Sequence, residues 1–209
     1  MKAALARAQA FAGRFGLPAP VLQAPMAGVP AVALAQAVVQ GGGMAAMGAL
    51  LMEPPAIMAW VQRFREQAGA AAPLQLNLWV PDPPPLRDTA HEARLLDFLA
   101  RFGPPVPATA GDAQLPDFAA QCQALLAARP AAVSSIMGLY PAAFVAQLKA
   151  AGVAWFANAT TVAEARAAEA AGADVIVAQG AEAGGHRGAF DAALARDEAV
   201  GLFALLPQV

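Results

Sequence analysis

The chain has 209 residues, of which 58% are hydrophobic and 13% are charged, and its formal net charge is −2. This composition predicts a compact domain with a large core and excludes the basic surface that a nucleic-acid-binding protein needs. No apolar run reaches the roughly 18 residues of a membrane span, and Cys122 is the single cysteine. We therefore expect a cytoplasmic protein with no internal disulfide, no membrane segment and no nucleic-acid partner.

The chain begins with a pattern that is typical of a short amphipathic helix. Phe11 and Phe15 are four residues apart, and Gly16 and Pro18 follow them. This order predicts a helix that ends near Gly16 and leads directly into a strand.

A strand followed by a helix recurs along the chain with a period of about 20 residues. In the clearest unit, the apolar run 153–159 is followed by Thr161 and Glu164, whose spacing is that of a capping box at the start of an alanine-rich helix. Gly172 predicts a left-handed end to that helix, and Gly152 has the same role in the preceding unit. The repeat predicts minimal βα units joined by tight loops.

Six apolar runs are predicted to be strands. They cover residues 21–26, 43–49, 74–80, 131–138, 153–159 and 174–180. Each is almost continuously apolar, as expected for parallel strands that are covered on both faces. The pattern predicts an α/β protein with a (β/α)₈ barrel of TIM type, apparently truncated after about six βα units; an open doubly wound sheet is the competing architecture. The dinucleotide fingerprint G-x-G-x-x-G is missing after the first predicted strand, which favours the barrel.

An irregular, proline-rich excursion at about 81–115 interrupts the repeat between the third and fourth predicted strands. The sequences PDPPP (81–85) and GPPVP (103–107) exclude a central strand and flank one predicted helix of roughly 88–102. His91 lies in that helix, where a solvated surface histidine is the simplest interpretation. We therefore expect a single incomplete barrel domain over 1–209 with a lid-like excursion.

Polar residues stand near the ends of several predicted strands. They are Gln23, Asn77, Ser134, Ser135, Asn158 and Gln179. A barrel collects its site from the carboxyl ends of many strands, so this distribution predicts a common site there. For Asn77, which alternates with leucines in LQLNLWV, a polar lining and a structural hydrogen bond are both consistent with the sequence.

The last predicted strand runs into the loop AQGAEAGGHRG, which contains several glycines and His186. Together with QAPMAGV, GGGMAAMGALL and LQLNLWVP on the first three strands, this loop resembles the nitronate monooxygenases, formerly called 2-nitropropane dioxygenases. The resemblance covers essentially the whole chain in order, and the loop around His186 is its most specific motif.

The resemblance implies a flavoprotein that holds FMN without a covalent bond and oxidises alkyl nitronates, or nitroalkanes, with molecular oxygen. By similarity, His186 is the catalytic residue and no metal is expected. The residues expected to contact the cofactor are Pro25, Met26, Ala27, Asn77, Gln179, Gly184 and Gly185. Glycine has no Cβ, so the last two would let the backbone approach a flat ring closely. Arg187 either adds charge to the pocket or holds the loop by backbone hydrogen bonds.

Two alternatives stay open at this point. The flavin-dependent enoyl-acyl-carrier-protein reductases share the barrel and a similar GGH loop, and a catalytically inactive remnant of the family is also consistent with the sequence. The last two βα units of the family pattern, which usually hold the cofactor phosphate, are missing from this sequence. Unpaired edges at the first and sixth strands would be open to pairing, so we expect the chain to aggregate or self-associate, or to be completed by another chain.

Overall fold

In the computed structural model, the described residues 2–29, 31–83, 86–112 and 114–209 contain five strands that form one parallel sheet. The strands are β1 (Ala45–Gly48), β2 (Leu74–Trp79), β3 (Ala132–Ile136), β4 (Ala154–Ala159) and β5 (Val175–Ala178). Their order in the sheet is their order in the sequence. A doubly wound sheet reverses its strand order at a switch point, so the sequential order favours the barrel-type architecture.

Helices lie between the strands, as the βα repeat predicts. They are α1 (Lys2–Phe15), α2 (Val32–Gln40), α3 (Pro54–Ala68), α4 (Thr89–Leu99), α5 (Phe118–Ala128), α6 (Ala142–Ala150), α7 (Val162–Ala170) and α8 (Leu202–Leu205). The predicted capping box is present at the start of α7, where Thr161 and Glu164 bond to each other's backbone N–H groups. Gly152 and Gly172 follow α6 and α7 with φ of 69° and 94°, the left-handed conformation that favours glycine. None of the helices in the described part of the chain is long and apolar enough to cross a membrane.

The first predicted strand is wrong in its extent, because it is reduced to a single parallel bridge between Leu22 and Met44. The Gln23 N–H donates to the Met44 carbonyl at 2.9 Å. The next donor in such a ladder would be residue 25, which is a proline and has no N–H. In place of the backbone, the Gln23 side-chain oxygen accepts a hydrogen bond from the Ala46 N–H at 3.1 Å. The other five predicted strands are present.

The sheet separates an apolar face from a polar one. Leu74, Leu76 and Leu78 of β2 belong to a core with Trp60 of α3 and Trp155 of β4. A smaller cluster lies near the amino ends of the strands, where Phe11 and Phe15 of α1 pack against Phe156 with ring centroids 6.2 and 5.2 Å apart. Because β2 alternates strictly, its polar residues emerge on the opposite face from the leucines.

The chain divides into two compact units, residues 1–81 with 116–209, and residues 82–115. The second unit corresponds to the proline-rich excursion and contains α4, whose N-cap Asp88 accepts a hydrogen bond from the His91 N–H. Arg87 pairs with Glu92 and Asp112 within this unit. His91 is exposed, as expected. Pro84 and Pro85 of the predicted proline run lie outside the described residues, and the lid role stays a prediction.

Candidate active site

A cavity of about 1000 Å³ lies at the carboxyl ends of the strands, on the face opposite the leucines of β2. The structure brings all the residues of the predicted site to its wall: Pro25, Met26, Ala27, Asn77, Gln179, Gly184, Gly185 and His186. The polar residues expected at the strand ends line the same cavity: Gln23, Ser134, Ser135 and Asn158. The volume is at the upper end of the range for small-molecule sites.

Strand β2 contributes Gln75, Asn77 and Trp79 to the cavity wall. The two amides converge on one hydroxyl, since Gln75 Nε2 and Asn77 Nδ2 donate to Ser134 Oγ at 2.9 and 3.0 Å. Asn77 is therefore both a lining residue and a structural hydrogen-bond donor, the two interpretations that the sequence left open. Gln75 and Asn77 are 5% and 7% exposed, so their amides are fixed and desolvated before a ligand enters.

The backbone of Met26 and Ala27 passes closely over Gly48 at the end of β1. A Cβ on Gly48 would lie 2.9 Å from the Ala27 nitrogen and 3.0 Å from the Met26 carbonyl carbon. Since both atoms belong to the backbone, only glycine at position 48 allows this segment to reach the cavity wall. Gly48 was not among the residues predicted from the sequence, and a glycine at the end of an apolar strand was the signal for it.

Gln179 bonds to the loop that follows β5. Its Nε2 donates to the His186 carbonyl at 2.9 Å, and its Oε1 accepts from the Gly188 N–H at 2.7 Å. These two bonds fix the orientation of the amide, because a flipped amide would place acceptor against acceptor and donor against donor. Gln179 therefore holds the loop in addition to lining the cavity.

Glycines 184, 185 and 188 of this loop differ in their surroundings. A Cβ on Gly184 or Gly185 would meet no protein atom within 4 Å, so both border open space at the cavity wall. A Cβ on Gly188 would lie 2.7 Å from Ile136 Cγ1 and would also overlap the Asn158 amide. Protein packing therefore requires glycine at position 188, whereas the space beside Gly184 and Gly185 is available to a ligand.

The His186 ring stands against Trp79, with ring centroids 4.7 Å apart and the planes inclined at 64°. His186 is exposed and Trp79 is half-buried. Trp79 was not predicted as a site residue, although it is two residues beyond Asn77 and so lies on the same face of β2. The edge-to-face contact holds the imidazole at the cavity.

Arg187 lies outside the cavity lining and holds the loop. Its Nη2 donates to the backbone carbonyls of Thr160 and Glu198 at 3.3 and 3.2 Å, which matches the backbone-bonding interpretation. The nearby Glu182 does line the cavity. Hydrogen bonds from its own N–H and from the Leu202 N–H lower the pKa of the Glu182 carboxyl group. Among the described lining residues, only Glu182 and His186 have acidic or basic side chains.

The family model for nitronate monooxygenase matches residues 11–209 of this chain. The chain belongs to the nitronate monooxygenase family. A relative named nitronate monooxygenase from Paraburkholderia phytofirmans is 40% identical over 196 residues, which cover 91% of this chain and 52% of the relative. A second one, from Pseudomonas aeruginosa, is 38% identical over 203 residues, 94% of this chain and 56% of that protein. The chain thus spans about half the length of these curated relatives.

Solved structures agree with the family assignment. The structure of a nitroalkane oxidase from Streptomyces ansochromogenes superposes with a TM-score of 0.78 at 32% identity, and covers 92% of this chain and 55% of that chain. FabK from Thermotoga maritima superposes with a TM-score of 0.65 at 20% identity over 96% of this chain and 50% of that one, a likeness that concerns the fold alone. The α/β architecture of TIM-barrel type expected for a nitronate monooxygenase is therefore confirmed.

The residues of this cavity fit the ring system of a flavin. The wall beside Gly184 and Gly185 is open where a Cβ would otherwise project, and Asn77 supplies a buried amide. The described lining contains no lysine or arginine, so these residues fit the uncharged ring better than they fit a phosphate group.

Proposed function

We propose that the chain provides the ring-binding and catalytic part of an FMN-dependent oxidoreductase that oxidises alkyl nitronates, and nitroalkanes, with molecular oxygen. The observation that carries this proposal is the position of His186. In a chain of the nitronate monooxygenase family, the imidazole lies against Trp79 at a largely apolar cavity, and two glycines leave one wall open.

The cofactor would be held by the residues that surround the cavity. The backbone of Pro25, Met26 and Ala27 would border it on one side, and Gly184 and Gly185 on the other. Asn77 and Gln179 would offer amide groups. FMN, when bound, supplies the electron acceptor that the oxidation of a nitronate requires.

His186 is the one described lining residue that can carry a positive charge, since the other ionisable one is the acidic Glu182. A nitronate is an anion, and a cationic donor beside it would stabilise the charge that is redistributed during oxidation. A neutral imidazole has a nitrogen lone pair, so the same residue can accept a carbon-bound proton from a neutral nitroalkane. Both tasks require the ring to face the cavity, which the contact with Trp79 supports.

The test uses the purified chain supplied with FMN. Binding is followed by the visible absorbance and quenched fluorescence of the flavin, and activity by oxygen consumption with an alkyl nitronate and with the parent nitroalkane. We expect His186→Asn to retain the fold and to lose far more activity on the nitroalkane than on the nitronate, because only the nitroalkane needs a base. His91→Asn on the exposed face of α4 is the matched control.

Three results would contradict the proposal. Consumption of NADH with an enoyl thioester, and no nitronate oxidation, would indicate the reductase chemistry. Failure to bind FMN at any concentration would indicate an inactive remnant. Unchanged kinetics of His186→Asn on both substrates would remove His186 from the site.

The expected self-association or completion by another chain stays a prediction, which sedimentation of the same sample measures.

A further inference from the structure

The loop segment 186–190, here called the histidine segment, carries His186 and is attached to the body of the protein by side chains from outside it. Gln179 binds the segment at two points, the His186 carbonyl and the Gly188 N–H. Glu164 of α7 binds it at a third, because its Oε1 accepts a hydrogen bond from the Phe190 N–H at 2.7 Å. Arg187 of the segment adds bonds to the carbonyls of Thr160 and Glu198, whereas the preceding Gly184 and Gly185 border open space.

Of the two side chains that bind the histidine segment from outside, Glu164 is the less obvious one, because its capping-box pattern already accounts for a glutamate at this position. Its Oε2 accepts hydrogen bonds from the Thr160 and Thr161 N–H groups and from the Thr160 hydroxyl, at 2.6, 3.2 and 2.8 Å. The cap therefore uses one carboxyl oxygen, and the other bonds to Phe190. A capping residue has no need of this second contact, which joins the start of α7 to the histidine segment.

We propose that Gln179 and Glu164 are positioning residues that keep His186 against Trp79 at the cavity. Neither acts through contact with a reacting atom in this role: Gln179 fixes the backbone of His186 itself, and Glu164 fixes the segment four residues later. The inference rests on the proposed function, in which His186 is the acting group, but the position of the ring can be measured without any activity.

The decisive variant is Glu164→Gln, since an amide has only one acceptor oxygen. That oxygen can keep the cap at Thr160 and Thr161, and the NH₂ group then faces the Phe190 N–H. Because both groups are donors, the hydrogen bond to Phe190 is lost. Thr161→Ala is the complementary control, because it removes the side-chain cap of α7 and leaves the bond to Phe190. Glu169→Gln makes the same chemical change at an exposed position of the same helix.

The readout is the NMR spectrum of the imidazole groups together with amide hydrogen exchange. The chain has two histidines, His91 and His186, so the spectrum is simple and His186→Asn assigns it. The His186 signals carry the ring-current displacement of Trp79, and His91 is the internal reference. We expect Glu164→Gln to reduce this displacement and to raise the exchange rate of the Phe190 amide about tenfold or more, the effect of losing a hydrogen bond to a charged group.

Gln179→Glu gives an independent measurement that leaves the α7 cap untouched. A carboxylate can still accept from the Gly188 N–H, but it opposes the His186 carbonyl, so the His186 signals should move here too. If Glu164→Gln does not fold, this variant decides the question. Thr161→Ala and Glu169→Gln should leave the His186 signals in place.

Unchanged His186 signals in Glu164→Gln and Gln179→Glu would overturn the proposal. A change of the His186 signals in Thr161→Ala as large as that in Glu164→Gln would also overturn it, because it would indicate a general effect of the helix cap. Oxygen consumption with FMN and nitronate is recorded separately, and Glu164→Gln, at a position outside the cavity lining, should lower kcat more than it raises KM. An inactive wild-type chain would count against the proposed function, whereas the spectra would still decide whether these side chains place His186.

Discussion

Replacing Gly184 by alanine tests whether the open wall of the cavity is a ligand site. The Cβ of the variant would meet no protein atom within 4 Å, and the φ of Gly184 is negative, so alanine fits the native backbone. Replacing glycine by alanine at a compatible position stabilises a protein by about 0.4–1 kcal/mol, through the lower entropy of the unfolded chain. The new methyl group would nevertheless project into the cavity where the flavin ring is proposed to lie.

The expected result is therefore a separation of stability from binding. The melting temperature should stay constant or rise by about 2–4 °C, the shift that 1 kcal/mol produces in a protein of this size. FMN affinity should fall about tenfold or more, because a methyl group that overpacks a fitted site costs roughly 1–3 kcal/mol. Stability is measured by thermal and urea unfolding without flavin, and affinity by fluorescence titration with FMN.

Gly185→Ala is the matched control, one residue further along the same wall. A Cβ there also meets no protein atom, but Gly185 has φ of +82°, a conformation that costs a residue with a Cβ about 1–2 kcal/mol. This variant should lose stability, whereas Gly184→Ala should not. If Gly184→Ala is destabilised as much as Gly185→Ala, or if it binds FMN as tightly as the wild type, the cavity wall has been assigned wrongly.

Three further predictions concern other regions of the chain. Gly188→Ala should lower the free energy of unfolding by about 1–3 kcal/mol, because its Cβ would lie 2.7 Å from Ile136 Cγ1; denaturant unfolding measures this, and wild-type stability would contradict it. Burial raises the pKa of the Cys122 thiol to about 12, with a smaller contribution from Asp117, so a thiol reagent in mildly alkaline buffer should modify Cys122 only after unfolding; rapid modification of the native protein would disprove this. The pKa of Glu182 is lowered in the folded protein by hydrogen bonds from its own N–H and from that of Leu202, so its contribution to stability is present above the unfolded pKa of a glutamate and is lost as pH falls through the lowered value. Glu182→Gln should therefore flatten the loss of stability at acidic pH, and a parallel pH profile would show that the contact is unimportant.

Local sequence signals were sufficient for the repeating architecture. Strong apolar runs specify buried parallel strands, and Thr161, Glu164 and Gly172 specify where α7 starts and ends, because helix capping acts between residues close in sequence. The same locality explains why the polar residues at strand ends could be placed in one site. Parallel strands bring their carboxyl ends together whatever the details of packing.

The first predicted strand shows where local signals are insufficient. Its apolar composition is that of a strand, but Pro25 removes the donor that would continue the ladder, and the Gln23 side chain replaces the backbone by bonding to Ala46. The apolar composition of a segment indicates that it can be buried, but not that it forms a strand. Only pairing with a particular neighbour decides whether its backbone forms a ladder.

The roles of individual polar groups were decided by the tertiary structure. From the sequence, Gln179 and His186 were expected near one site. It did not indicate that the Gln179 amide bonds to the His186 loop, or that Trp79 lies against the imidazole. The sequence was consistent with two roles for Arg187, and only the fold shows that its guanidinium donates hydrogen bonds to the carbonyls of Thr160 and Glu198. Glu164 is the clearest case, since its local pattern explains the helix cap and conceals the bond to Phe190, 26 residues away. Local hydrogen bonds depend on spacing along the chain and can be predicted from it, whereas long-range bonds depend on how separate elements are brought together.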